Sequence, residues 1–98
     1  MPHFLILAAD RPGALEKRLA HRQDHLDYWA GKHGAVKVAG AMLEDGQPSG
    51  SAFLLDTGDE REARGLLAED PFMLRGIFTG QLEVTAIRPA IGDWLRQA

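Results

Sequence analysis

HFLILAADRPGALEKRLAHRQDHLDYWAGKHG, residues 3 to 34, contains the change of pattern on which the fold turns. His3 to Ala9 is a short apolar run closed by Asp10, Arg11, Pro12 and Gly13, and that length followed by turn-forming residues predicts a buried strand. From Ala14 the spacing becomes helical. Leu15, Leu19, Leu26 and Ala30 recur at separations of four, seven and four, which predicts a single helix with these residues as its core stripe. Glu16, Lys17, Gln23 and Asp27 fall on its other faces, and Gly31 and Gly34 stop it.

Downstream, Ala35 to Leu43 is small and β-branched and ends at Glu44, Asp45 and Gly46, a turn signal, while Ser51 to Leu55 is a second extended run. The two predict a hairpin with Asp45 to Gly50 as its loop. Asp59 to Glu69 is rich in Ala, Leu, Glu and Arg and opens with acids that suit the positive end of a helix dipole. Asp70-Pro71 interrupts this second helix, Phe72 to Phe78 continues as a turn or a one-turn helix, and Leu82 to Ile87 reads as the last strand. The order βαββαβ, split by a central hairpin, predicts a ferredoxin-like α+β fold: a four-stranded antiparallel sheet with both helices on one face.

The strands also carry information about what covers them. Phe4, Ile6 and Ala8 point to one side of the first strand and Leu5 and Leu7 to the other, so both faces are apolar. The last strand sets Leu82, Val84 and Ala86 against Glu83, Thr85 and Ile87. The helix-free side is therefore too apolar to leave in water, and a second subunit is expected to cover it. Trp94 and Leu95 make the tail from Ile91 to Ala98 too apolar to hang free, so it is expected to dock.

Size points the same way, since 98 residues and 10.7 kDa make one domain, taken here as residues 1–98, whose single small core has little stability in reserve. With no cysteine it has no disulfide, no thiol nucleophile and no thiolate metal site, and a homodimer is the expected reinforcement. Hydrophobic residues at 45% and charged residues at 26% exclude the disordered class. Eleven Lys and Arg against fourteen Asp and Glu, with a pI near 5.7 and the signs mixed along the chain, lack the dense basic face that nucleic-acid binding needs. The longest apolar run, Phe4 to Ala9, falls far short of the roughly 20 residues that span a bilayer, so no membrane partner and a cytoplasmic location are expected.

Chemistry concentrates on the first helix. Arg18, Arg22, His25 and Trp29 form a stripe beside the leucine stripe, at the edge of the predicted buried face, where a pocket rim would lie. The plainer reading is a solvated charged flank with a half-buried tryptophan. His21 and His25 have the i, i+4 spacing of a metal-binding helix, but Arg22 stands where such helices carry Glu, and Arg18 adds further positive charge, so no metal is expected. Gly76 and Gly80 are not followed by the Lys-Ser/Thr of a phosphate loop, and neither Ser49 nor Ser51 sits in a nucleophile elbow, which argues against nucleotide binding and serine hydrolysis. Asp70, placed at the C-terminal end of the second helix, meets an unfavourable dipole there and needs a compensating partner. Taking the first and third strands as parallel neighbours makes the two helices parallel and puts their C-terminal halves together, which brings Asp70 to His25. The carboxylate would fix the imidazole tautomer and raise its basicity, as in a general base; the alternative is a structural cap or ion pair.

At these residues the sequence resembles the YCII-related family of small proteins of the dimeric α+β barrel type. Leu15-Glu16, Arg18-Leu19, Arg22 and His25-Leu26 look like its helix motif, Leu-Glu-x-Arg-Leu followed by Arg-x-x-His-Leu. Ala39-Gly40 resembles its Ala-Gly-Pro strand end, with Ala41 where the family usually has proline. Gly50-Ser51 resembles its third-strand start, Asp70-Pro71-Phe72 with Gly76 its Asp-Pro-aromatic element, and Arg88-Pro89 its terminal basic residue and proline. The resemblance implies a His-Asp active site at His25 and Asp70, with Arg18, Arg22, Gly40, Ser51 and Phe72 around the substrate. Some relatives are chloromuconate-type dehydrochlorinases. The implied activity is a small lyase or isomerase, dehydrochlorinase-like and without cofactor, in which His25 moves a proton, Asp70 orients it and Arg18 or Arg22 holds a small anionic organic substrate. A binding or regulatory module that holds an organic acid in the same cleft without turning it over is the alternative.

Overall fold

The computed structural model describes residues 3–32 and 34–93. Along them run β1 (His3–Asp10), α1 (Leu15–Ala20), α2 (Arg22–Ala30), β2 (Val36–Glu44), β3 (Gln47–Leu55), α3 (Glu60–Ala68), α4 (Pro71–Leu74) and β4 (Phe78–Ile87). The strands form one sheet in the order β2-β3-β1-β4, with every neighbouring pair antiparallel. This is the ferredoxin-like α+β fold that the element order predicts.

Alternation along the central strands builds the core. Phe4, Ile6 and Ala8 of β1 are buried and lie opposite Leu55, Phe53 and Ser51 of β3, which are buried too. Ala63 and Leu67 of α3, Phe72 of α4 and Trp29 of α2 pack on the same side, so the helices share one face of the sheet. Phe53, Phe72 and Phe78 are at most 1% exposed, and each side chain of this kind contributes about 1.5–3 kcal/mol when buried. Their rings meet edge to face around Phe78, at 6.4 Å from Phe53 and 5.7 Å from Phe72. On the opposite side of the sheet Leu5 and Val38 stay exposed.

Several expectations need correction. The first helix is two, α1 and α2, with the break at His21, whose φ of -109° and ψ of 12° leave the helical region. Its leucine stripe is not the core: Leu19 is 57% and Leu26 39% exposed, and Ala30 is exposed as well. The inward side carries Ala14, Arg18, His25 and Trp29 instead. A periodicity argument counts apolar side chains, and it fails where charged side chains find buried partners and take the inward positions themselves.

The hairpin is tighter than expected. Asp45 and Gly46 have φ of 52° and 78°, the conformation of a two-residue turn whose twist suits paired strands, so β3 begins at Gln47 and not at Ser51. β4 begins at Phe78, four positions before Leu82. The first and third strands are neighbours as expected but antiparallel, so the parallel-helix route to a meeting of His25 and Asp70 does not hold. Nor is Asp70 at a helix C-terminus in need of rescue. It is the N-cap of α4, where its side chain accepts from the Phe72 amide at 2.9 Å, a favourable position for an acid. The expected docking of Trp94 and Leu95 falls outside the described residues.

Candidate active site

Two buried carboxylates organise the inward side of α1 and α2. Asp10 is the last residue of β1 and shares the parity of Phe4, Ile6 and Ala8, so it continues the helix-facing row. The β1–β4 ladder shifts register between Ala8 and Asp10. Arg18 of α1 donates from Nε to Asp10 Oδ2 at 2.7 Å and from Nη2 to Asp10 Oδ1 at 3.1 Å, a two-pronged pair. A second Nη2 hydrogen goes to Ser51 Oγ at 2.7 Å. Both charged side chains are 6% exposed, and removing one partner of such a pair costs about 3–5 kcal/mol because the other charge is left buried alone.

Asp70 is the second carboxylate, with no exposed surface. It accepts from the Phe72 amide through Oδ1 at 2.9 Å and from Trp29 Nε1 through Oδ2 at 2.7 Å. His25 Nδ1 lies 2.9 Å from both of its oxygens. As a carboxylate Asp70 only accepts, so Nδ1 carries the hydrogen and Nε2 keeps its lone pair. Nε2 has no hydrogen-bond partner among the described residues, and His25 lines a cleft.

Phe72 ties the two units together. Its ring stacks on the imidazole of His25, with centroids 4.0 Å apart and planes 5° from parallel, and the Arg18 guanidinium carbon lies 4.6 Å from the same ring's centroid. The cleft beside them has a volume of about 430 Å³, the size of a small-molecule site. Arg18, Arg22, His25 and Trp29 from the helices line one side, Val36 to Ala41 of β2 another, and Ser51 and Phe72 complete the lining. Among the described residues Arg18, Arg22 and Lys37 are the Lys and Arg side chains that line it and no carboxylate does, which favours an anion.

The structure thus brings His25, Arg18, Arg22, Gly40, Ser51 and Phe72 to one cleft and sets Asp70 behind His25. Arg18 and Arg22 differ in kind. Arg18 is buried and its charge is matched by Asp10, whereas Arg22 is exposed and has no ion-pair partner among the described residues. His21 turns elsewhere, with Nδ1 3.8 Å from Asp24 Oδ2, and the described residues contain no group of three potential metal ligands. Sequence reasoning missed Asp10, read only as turn punctuation, and the donor role of Trp29. Extending the alternation of β1 by one step to Asp10 would have placed its side chain among the helices.

The YCII-related domain model matches residues 2–89, and the chain belongs to this family. Among solved structures it is similar to the 5-chloro-2-hydroxyhydroquinone dehydrochlorinase TftG of Burkholderia phenoliruptrix in complex with 2,5-dihydroxybenzoquinone: 28% identity, TM-score 0.79, 94% of this chain and 97% of that one covered. An antibiotic biosynthesis monooxygenase, at 11% identity and TM-score 0.53 over 93% of this chain and 100% of that one, shares the fold alone. So does a NIPSNAP domain protein of Burkholderia xenovorans, at 18% identity and TM-score 0.51 over 92% and 95%. No curated protein matches the sequence significantly.

Behind the dyad, Tyr28 donates to the Leu66 carbonyl at 2.6 Å. Burial, and then the nearby Glu69 and Asp70 carboxylates, push its hydroxyl up from 10.0 to about 12. The native state therefore resists tyrosinate. The stability this represents is fully present below the unfolded value near 10 and is lost as pH rises through the native value. Tyr28 is the sole tyrosine, so the alkaline rise in tyrosinate absorbance of the folded protein is expected near pH 12. A transition centred at 10 would show that Tyr28 is not held in this way.

Proposed function

We propose that the cleft is the active site of a small lyase or isomerase, dehydrochlorinase-like, that acts on a small organic anion by proton transfer at His25. The observation that carries this reading is the dyad itself: Nδ1 of His25 fixed at 2.9 Å by a fully buried carboxylate, with the other nitrogen left to the cleft. Nε2 takes a proton from a carbon made acidic by a neighbouring electron-withdrawing group. For elimination, the C–H electron pair becomes a C=C bond as halide leaves with its own pair, and the net change is loss of HX. For isomerisation the same proton returns at another carbon. Electrons are neither gained nor lost, so the step calls for no redox cofactor. The similar dehydrochlorinase, whose complex holds a small acidic quinone, supports the substrate class.

Asp70 is the positioning residue for His25. Arg22 is the main substrate anchor, since its charge has no ion-pair partner among the described residues, while the charge of Arg18 is matched by Asp10. Replacing His25 with Gln is expected to lower turnover by about 10²- to 10⁴-fold while leaving binding of the acid nearly intact. Arg22→Met is expected mainly to raise KM, by about tenfold or more, through loss of a charge-assisted hydrogen bond. Calorimetry with a panel of small unsaturated carboxylates, chlorinated hydroxyquinols and lactones, followed by turnover assays on every binder, separates the two. Binding without turnover in the wild type, unchanged in His25→Gln, would identify an organic-acid binding module instead.

We further propose that two copies associate through the helix-free face, where Leu5, Val38 and their neighbours on β1, β2 and β3 expose apolar surface that the small core cannot spare. Light scattering at micromolar concentration is expected to give twice the mass of one chain. A monomer would contradict the proposal.

A further inference from the structure

Ser51 is 2% exposed and lines the cleft, yet its hydroxyl hydrogen is idle. Arg18 is donor-only, so in the 2.7 Å contact with Arg18 Nη2 the Ser51 oxygen accepts, and its own hydrogen must point elsewhere. No acceptor among the described residues takes it. Arg18 is in a similar condition. Its Nε and Nη2 hydrogens are used by Asp10 and Ser51, which leaves those of Nη1 without an acceptor among the described residues. A buried hydroxyl donor left over is costly unless a ligand supplies the acceptor.

We propose that Ser51 and Arg18, locked in place by Asp10, form a subsite that reads an acceptor-only oxygen of the ligand: a carboxylate, an enolate or a quinone carbonyl. The inference rests on the proposed function of the cleft and deepens it by naming the chemistry at one end. The hydrogens left over there, that of Ser51 Oγ and those of Arg18 Nη1, all call for acceptors, and a ligand oxygen that carries negative charge and several lone pairs meets them best. The subsite is also preorganised. Asp10 holds the guanidinium by two contacts, the Phe72 ring flanks it, and Ser51 sits on a central strand beside Gly50, where an added Cβ would come within 2.5 Å of the Ala8 carbonyl. Phe72 carries both Arg18 and His25, so the oxygen bound here lies within one small molecule's reach of the proton acceptor. Negative charge that develops on the ligand when Nε2 removes a proton would then be met by fixed donors.

The test is calorimetric titration of the full-length chain with 2,5-dihydroxybenzoquinone and with benzoate, for the wild type and for Ser51→Ala. This substitution removes one oxygen atom and creates no charge, and an unchanged thermal unfolding profile verifies that it folds. The affinity of Ser51→Ala for both probes is expected to fall about ten- to hundredfold, the range for a hydrogen bond to a charged group. Arg18→Gln, which also leaves Asp10 unpaired, is expected to lose binding further if it folds. Wild-type binding with an unaltered affinity in Ser51→Ala would overturn the subsite and leave the anion-binding cleft standing. Failure of the wild type to bind either probe would overturn both.

Discussion

The Asp70 carboxylate has no contact with water and accepts from the Phe72 amide, the Trp29 indole and the His25 imidazole, which belong to α4 and α2. A buried carboxylate with fewer partners would be strongly destabilising, so each of these donors is needed, and meeting the need fixes three side chains or backbone groups at once. The amide bond places α4 by capping it. The indole bond holds Trp29 against Phe53, at 5.0 Å between ring centroids, and so joins the dyad to the core. The imidazole bond determines which nitrogen of His25 is left for the cleft. Structure and chemistry here have a common cause, because the contacts that bury Asp70 are those that orient His25.

Asp10 repeats this logic on the other side of the site. It holds Arg18 as Asp70 holds His25, and Phe72 lies against both held groups. The two units divide the work by charge. In the proposed function one offers a lone pair for a proton, the other offers hydrogens for an oxygen, and exposed Arg22 in the cleft lining supplies attraction for an anion. Such a cleft suits a ligand that becomes more negative as it reacts. The fold contributes rigidity, since the groups stand on helices, on central strands and, for Asp70, at the N-cap of α4.

Much of the fold was legible because it follows from short-range rules. The apolar run from His3 to Ala9, the turn at Asp45-Gly46 and the break at Asp70-Pro71 mark element ends by local chemistry, and βαββαβ follows from their order. What escaped reading depended on contacts between distant residues. Leu19 and Leu26 satisfy helical periodicity as well as any core stripe. They lie outside because Arg18 and His25 found carboxylates at Asp10 and Asp70, which nothing in the helix itself reveals. The pairing of His25 with Asp70 was anticipated from chemistry and family resemblance, but through a strand geometry that the antiparallel β1–β3 ladder contradicts. Asp70 proved to be a cap for the helix after it and not a misplaced acid on the helix before it. In each case the residue type was informative and its partner could not be derived from spacing.

The central claim is that Asp70 holds His25 in the tautomer with hydrogen on Nδ1 and a lone pair on Nε2. Long-range ¹H–¹⁵N correlation spectroscopy of the imidazole in ¹⁵N-labelled protein, at a pH where the ring is neutral, reads this directly. The account predicts a protonated-type shift at Nδ1 and an unprotonated-type shift at Nε2 for His25, with averaging of the two in Asp70→Ala if that variant folds. A His25 signal with the hydrogen on Nε2, or one already averaged between tautomers in the wild type, would contradict it.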